Sequence, residues 1–208
     1  MNDLYIQFLS IAIIHLFAVM SPGPDFTVIL KQSISHGRKA SIITSLGIGI
    51  GILFHVFFCI TGLGLVISQS PSLFNIIKIF GALYLGFLGF KSIFGNKNIN
   101  KDYQVDIKNQ KPLNSFILGL LTNILNPKAT LFFLSLYAMI ITSETSISIQ
   151  ITYGVWMSLI TGLWFSLLSI FLTNSFIESR IRSFSYAIQV GTGFILIFFA
   201  IKLLLSYQ

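Results

Sequence analysis

Two charged side chains stand in the middle of apolar chain, and their surroundings suggest chemistry. Asp25 closes the motif Ser21-Pro22-Gly23-Pro24-Asp25, and Lys128 follows Pro127 in Asn123-Ile124-Leu125-Asn126-Pro127-Lys128-Ala129-Thr130. Each proline removes a backbone donor and clashes with the preceding turn, and Gly23 eases departure from helical geometry. Asn126, before a proline, is biased away from helix, and its amide can satisfy freed backbone groups. Carbonyls near residues 18–21 therefore lose intrahelical partners, and Asp25 is placed to cap a helix beginning at Phe26 through the amides of Thr27 or Val28. An acid and a base at two helix breaks can form a permanent ion pair. They can also meet a zwitterion, Asp25 drawing an ammonium while Lys128 and half-helix N-termini draw a carboxylate. A proton-carrying role for Asp25 fits the same arrangement.

The depth of these charges follows from composition. Of 208 residues, 54% are hydrophobic and 9% charged, with mean hydropathy +0.86 and 21 Phe. An ordinary soluble domain is about 25% charged. Too few polar groups remain to coat a globule, so the outer surface must face lipid, and a soluble catalytic domain is excluded. The net charge of +7 comes from basic residues in short connections, where it reports orientation and not nucleic-acid binding. Cys59 is the only cysteine, so there is no disulfide framework or CxxC pair. Met1-Asn2-Asp3 lacks a basic n-region and Ala18-Val19-Met20 is a poor cleavage site, so the first apolar run is expected to be retained.

Apolar runs fall at about Leu4–Leu30, Ala40–Ile67, Leu73–Phe94, Leu113–Ile141, Ile149–Leu172 and Tyr186–Leu205. They predict an all-α polytopic membrane protein of six transmembrane helices, the first and fourth broken. Lys128 would lie roughly 20 Å of helix from either end of its run, too far to reach water easily, unless it stands nearer an interface than this register places it. A polar linker, 95–111, separates halves of about 1–94 and 112–208. Residues 77–94 align without gaps on 188–205, with Lys91 opposite Lys202. With three spans in each half, such a repeat is inverted. Ten of the 13 basic residues lie in or beside the first, third and fifth connections, which places those connections and the linker in the cytoplasm and both termini outside. Lys78 and Lys202, near predicted outer ends, can snorkel. His15 and His55 read first as helix–helix hydrogen-bond partners, and Gly47, Gly49, Gly51, Gly81, Gly86 and Gly89 as close packing surfaces.

These motifs resemble those of the LysE/RhtB family of bacterial amino-acid exporters, which includes homoserine/threonine and leucine efflux proteins. The resemblance covers essentially the whole chain. It is carried by Ser21-Pro22-Gly23-Pro24-Asp25, His36-Gly37-Arg38-Lys39-Ala40, Gly81-Ala82-Leu83-Tyr84-Leu85-Gly86 and Asn126-Pro127-Lys128-Ala129, in that order. It implies a multi-pass plasma-membrane carrier that exports small amino acids or their derivatives in exchange for protons, without a cofactor. The expected partners are the amino acid, protons and membrane lipid, with no nucleic acid; a homo-oligomer is left open. Asp25, Lys128, Asn126 and Ser21 are the candidate substrate or coupling residues, and Pro22, Gly23, Pro24 and Pro127 set the breaks. The rival readings are an exporter of another small solute or a metal ion, and a non-transport membrane subunit. An enzyme is disfavoured because the chain has no His-Glu-x-x-His, no Gly-x-Ser-x-Gly and no second deep Asp. The three His are scattered, so no metal site is expected.

Overall fold

The structure is a computed structural model and describes residues 2–94, 111–140, 145–173 and 175–205. Every regular element among them is an α-helix: α1 Asn2–Met20, α2 Pro24–Gln69, α3 Pro71–Phe94, α4 Pro112–Ile124, α5 Pro127–Ile140, α6 Ile147–Leu172 and α7 Ser175–Leu205. Prolines at the first helical position start α4 and precede the first free donors of α2, α3 and α5, as expected where an N–H would be unsatisfied anyway. The linker 95–111 lies outside the described residues except for Lys111, which is extended ahead of Pro112.

Two boundaries differ from the sequence reading. The stretch between Leu30 and Ala40 is not a loop: helix continues through His36 and resumes at Arg38, with Gly37 alone leaving helical geometry (φ 77°, ψ −179°). A single residue at positive φ turns the chain, and glycine reaches that conformation without a Cβ clash. The last helix begins at Ser175 and not near Tyr186, so Arg180 and Arg182 extend a helix where a connection had been expected.

Pro24–Gly62, Asn75–Phe94 and Ile147–Leu172 are long and apolar enough to cross a membrane. The pair Pro112–Ile124 and Pro127–Met139, bent by 55°, counts as a fourth span when taken together, and Tyr5–Met20 and Val190–Lys202 are shorter apolar helices. Burial is inverted relative to a soluble protein. Phe80, Leu83, Phe87, Phe90 and Phe94 form an exposed stripe along α3, while His15, Ser41, Thr44, Ser45, Asn123, Ser135, Ser169 and Thr192 are buried. Such a surface suits lipid. The chain is a polytopic membrane protein.

Interhelical contact relies on small and hydroxylated residues, as expected where lipid offers no hydrophobic drive for helix association. Ser41 Oγ bonds Ser169 Oγ at 2.7 Å and Ser33 Oγ at 2.8 Å, tying both limbs of α2 to α6. Ile29, Ile48, Phe165 and Leu168 pack at the same junction. Ser41 meets Ser169 while Val56 meets Gly154, so the long limb of α2 runs antiparallel to α6. A Cβ on Gly86 would touch Ala200, one on Gly89 would crowd Ile197, and one on Gly193 would crowd Ile93, so α3 and α7 are antiparallel too. The tightest approach joins α2 to α4: a Cβ on Gly119 would collide with the Thr44 carbonyl, and one on Gly47 with that of Phe116. Gly119→Val is therefore expected to force these helices apart. Its measure is the yield of monodisperse protein after detergent extraction, which should fall several-fold from wild type.

Candidate functional site

The first break separates α1 from α2. Ser21 N–H still donates to Phe17 O (3.1 Å), whereas Pro22 and Pro24 have nothing to donate. Helix resumes at Pro24, with Gly23 O accepting from Thr27 N (2.9 Å) and from Thr27 Oγ1 (2.9 Å). Asp25 thus stands inside the first turn of α2, at the positive end of that helix dipole. It does not cap a helix starting at Phe26, as the spacing had suggested. Its Oδ2 instead accepts from Asn123 Nδ2 (2.9 Å) and Asn126 Nδ2 (3.2 Å). The reason is geometric: with helix already begun at Pro24, the Asp25 side chain points outward from the turn and not back over it.

The second break separates α4 from α5. Asn126 is the N-cap of α5: its Oδ1 accepts from Lys128 N (3.0 Å) and its carbonyl from Thr130 N (3.0 Å). The side-chain amide thereby serves two elements, capping one helix and donating to Asp25. Lys128 extends to the other break, where Nζ donates to Ser21 O (3.1 Å) and Pro22 O (3.4 Å). Carbonyls freed by the prolines thus receive a cation at the negative end of α1, the favourable pole for positive charge. One turn earlier, Thr192 Oγ1 adds a second hydrogen bond to Phe17 O (3.3 Å), which also accepts from Ser21 N–H. Gly23 makes room, since a Cβ there would lie 3.3 Å from Lys128 Nζ.

The breaks are therefore cross-linked. The base of the second satisfies the backbone of the first, and the acid of the first is held by amides of the second. Asp25 and Lys128 do not bond each other. Ser21 contributes its backbone carbonyl, while its hydroxyl faces Ser92 Oγ on α3 at 3.4 Å.

Asp25, Asn126, Lys128 and Ser21 line one cavity of ≈ 40 Å³, with Gly23, Asn123, His15, Thr161, Phe132, Phe133 and Phe165 among its walls. Three buried polar atoms on these residues have no hydrogen-bond partner: Asp25 Oδ1, Asn123 Oδ1 and His15 Nδ1. An unsatisfied buried group of this kind costs about 1–3 kcal/mol, and these three atoms offer hydrogen bonds at the cavity.

No sequence motif marks Asn123, His55 or the His15–Thr161 pair as site residues. Asn123 sits three residues before Asn126, so both amides fall on one helical face until the break, and that spacing was the available signal. His55 Nε2 donates to Asn123 O (3.0 Å) and its ring stacks on Phe133. His15 Nε2 shares a hydrogen bond with Thr161 Oγ1 (3.1 Å). Both histidines do join helices, as expected; His15 also lines the cavity, and His55 reaches it through Asn123.

A membrane-embedded bundle of this kind, with two broken helices whose charged residues meet at an internal cavity, has the features of a solute carrier. The chain belongs to the LysE type translocator family, whose model matches residues 16–207. Among its relatives, the threonine efflux protein of Escherichia coli (strain K12) is 34% identical over 136 residues. That match covers 64% of this chain and 66% of the relative, so slightly less than two thirds of the relative is spanned. The uncharacterized membrane protein YrhP of Bacillus subtilis (strain 168) is 34% identical over 90% of this chain and 93% of its own length. The threonine efflux protein of Salmonella typhi is 30% identical over 78% of this chain and 80% of its own. No solved structure matches the chain.

Proposed function

We propose that the protein is a secondary active exporter of small amino acids across the plasma membrane of a bacterium, in antiport with protons. The observation that carries this reading is the unpartnered Asp25 Oδ1 in a cavity that also holds Lys128. Asp25 Oδ1 and Asn123 Oδ1 are acceptors without donors, the pair an α-ammonium would satisfy. Lys128 supplies the opposite charge for the carboxylate and can be drawn from the Ser21 and Pro22 carbonyls toward it. The aromatic wall of Phe132, Phe133 and Phe165 gives a small side chain an apolar seat. Kinship with threonine efflux proteins supports the same substrate class.

In this reading the chain has six spans, arranged as two inverted three-helix repeats with both termini outside. The antiparallel pairing of α2 with α6 and of α3 with α7 supports it, because equivalent helices of inverted repeats run in opposite directions. A cavity of ≈ 40 Å³ has room for about three water molecules, at roughly 10–15 Å³ each. An amino acid therefore enters a more open state, and the breaks are the hinges that make one available. Asp25 is the proton carrier: protonation removes the charge that holds the ammonium, which couples substrate release to proton uptake.

The test is export from preloaded cells. Cells making the protein should lose one or a few labelled amino acids faster than vector controls, and a protonophore should abolish the difference. Equal loss for every amino acid tried, with the protein present in the membrane, would overturn the assignment.

A further inference from the structure

The cavity has a second polar corner that ammonium and carboxylate binding leave unused. His15 on α1 is fully buried, and its ring is clamped by Trp156 (centroids 5.9 Å apart), Phe133 (6.1 Å) and Phe132 (6.4 Å). Its Nε2 is committed to Thr161 Oγ1 on α6 at 3.1 Å. Nδ1 is left with no partner although His15 lines the same cavity as Asp25 and Lys128. Three aromatic neighbours and one hydrogen bond fix the imidazole plane, so the direction in which Nδ1 offers its remaining hydrogen bond is fixed as well.

We propose that His15, oriented by Thr161, binds a hydroxyl on the side chain of the transported amino acid and sets the preference for hydroxylated over aliphatic substrates. This rests on the exporter reading above. His15 lies six residues before Ser21 on one helix, about 9 Å of rise from the break. Because His15 and the break line the same cavity, an amino acid whose α-groups sit at the break can turn its side chain toward His15. A hydroxyl both donates and accepts, so it satisfies Nδ1 in either neutral tautomer. An aliphatic side chain of the same shape leaves Nδ1 unpaired, and a site built to hydrogen-bond its substrate rejects such an analogue strongly. Thr161 acts through His15 and is a positioning residue.

Threonine and valine, nearly equal in shape, are the probes. Purified full-length protein is reconstituted into lipid vesicles, and competition by each against labelled threonine counterflow is measured. Wild type should prefer threonine at least roughly tenfold. His15→Leu should lower the threonine-to-valine ratio by about tenfold or more, and Thr161→Val should lower it by less, because the imidazole is then held only by its aromatic neighbours. Should His15→Leu fail to give folded protein, His15→Phe and Thr161→Val carry the test with the same ratio as readout. An unchanged ratio in folded variants would overturn the proposal, as would a proportional loss of threonine and valine, the mark of a merely structural histidine. Wild type that exchanges amino acids without preferring threonine would overturn this assignment alone. Wild type that exchanges none would overturn the exporter reading with it.

Discussion

Asp25→Asn should lower amino-acid export by about 100-fold while leaving the amount of folded protein near that of wild type. The substitution preserves size, and the new amide oxygen still accepts from Asn123 or Asn126, which hold Oδ2 at 2.9 and 3.2 Å. What disappears is the negative charge presented to the cavity. Hydrogen bonds to a charged group contribute about 1.5–3 kcal/mol each, and every 1.4 kcal/mol is about tenfold, so losing the ammonium's carboxylate partner removes one to two orders of magnitude in binding alone. Losing the proton carrier uncouples whatever remains. Export at matched membrane levels, with size-exclusion profiles in detergent as the folding control, measures the effect. Wild-type export by a folded Asp25→Asn protein would take Asp25 out of the mechanism.

Lys128→Ala should be as damaging to export and, unlike Asp25→Asn, should also destabilise the protein. Its ammonium donates to Ser21 O and Pro22 O at the end of α1, and leaving these part-buried acceptors without a donor costs up to about 1–3 kcal/mol each. The unfolding temperature in detergent should therefore fall together with transport. Lys128→Arg separates the two roles: its donors can still serve the carbonyls, but the broad guanidinium fits poorly in the space beside Gly23. It should keep most of the stability and lose most of the export. Because Asp25 and Lys128 each bond other groups and not one another, exchanging them in Asp25→Lys/Lys128→Asp should rescue neither folding nor transport. Rescue would mean that a direct ion pair is the essential contact.

The breaks were legible in the sequence because their cause is covalent. A proline has no N–H wherever it sits, and Lys128 in the middle of an apolar run has no cheap route to water. That a cation would be needed near carbonyls 18–21 follows from the prolines, but that Lys128 supplies it does not, since the contact joins residues 107 positions apart. The same holds for Asn123, which read as one of several polar residues before Pro127 until Asp25 was placed beside it. His15 and Thr161 are 146 residues apart, and no local pattern announces their meeting. The side-chain preference of Asp25 suggests a cap before Phe26, whereas helix begins two residues earlier, at Pro24. Gly37 was visible as a residue but not as the entire turn, since only its backbone angles show that one position reverses what looked like a loop.

If the cross-linked breaks form the amino-acid site itself, counterflow in lipid vesicles depends on Asp25, because exchange requires substrate binding but no net proton movement. Vesicles holding wild-type protein and loaded with unlabelled threonine should take up labelled threonine transiently and saturably, and vesicles holding the same amount of Asp25→Asn protein should not. Undiminished counterflow by Asp25→Asn would show that Asp25 does not hold the substrate, and absence of counterflow for every amino acid in wild type would overturn the exporter assignment.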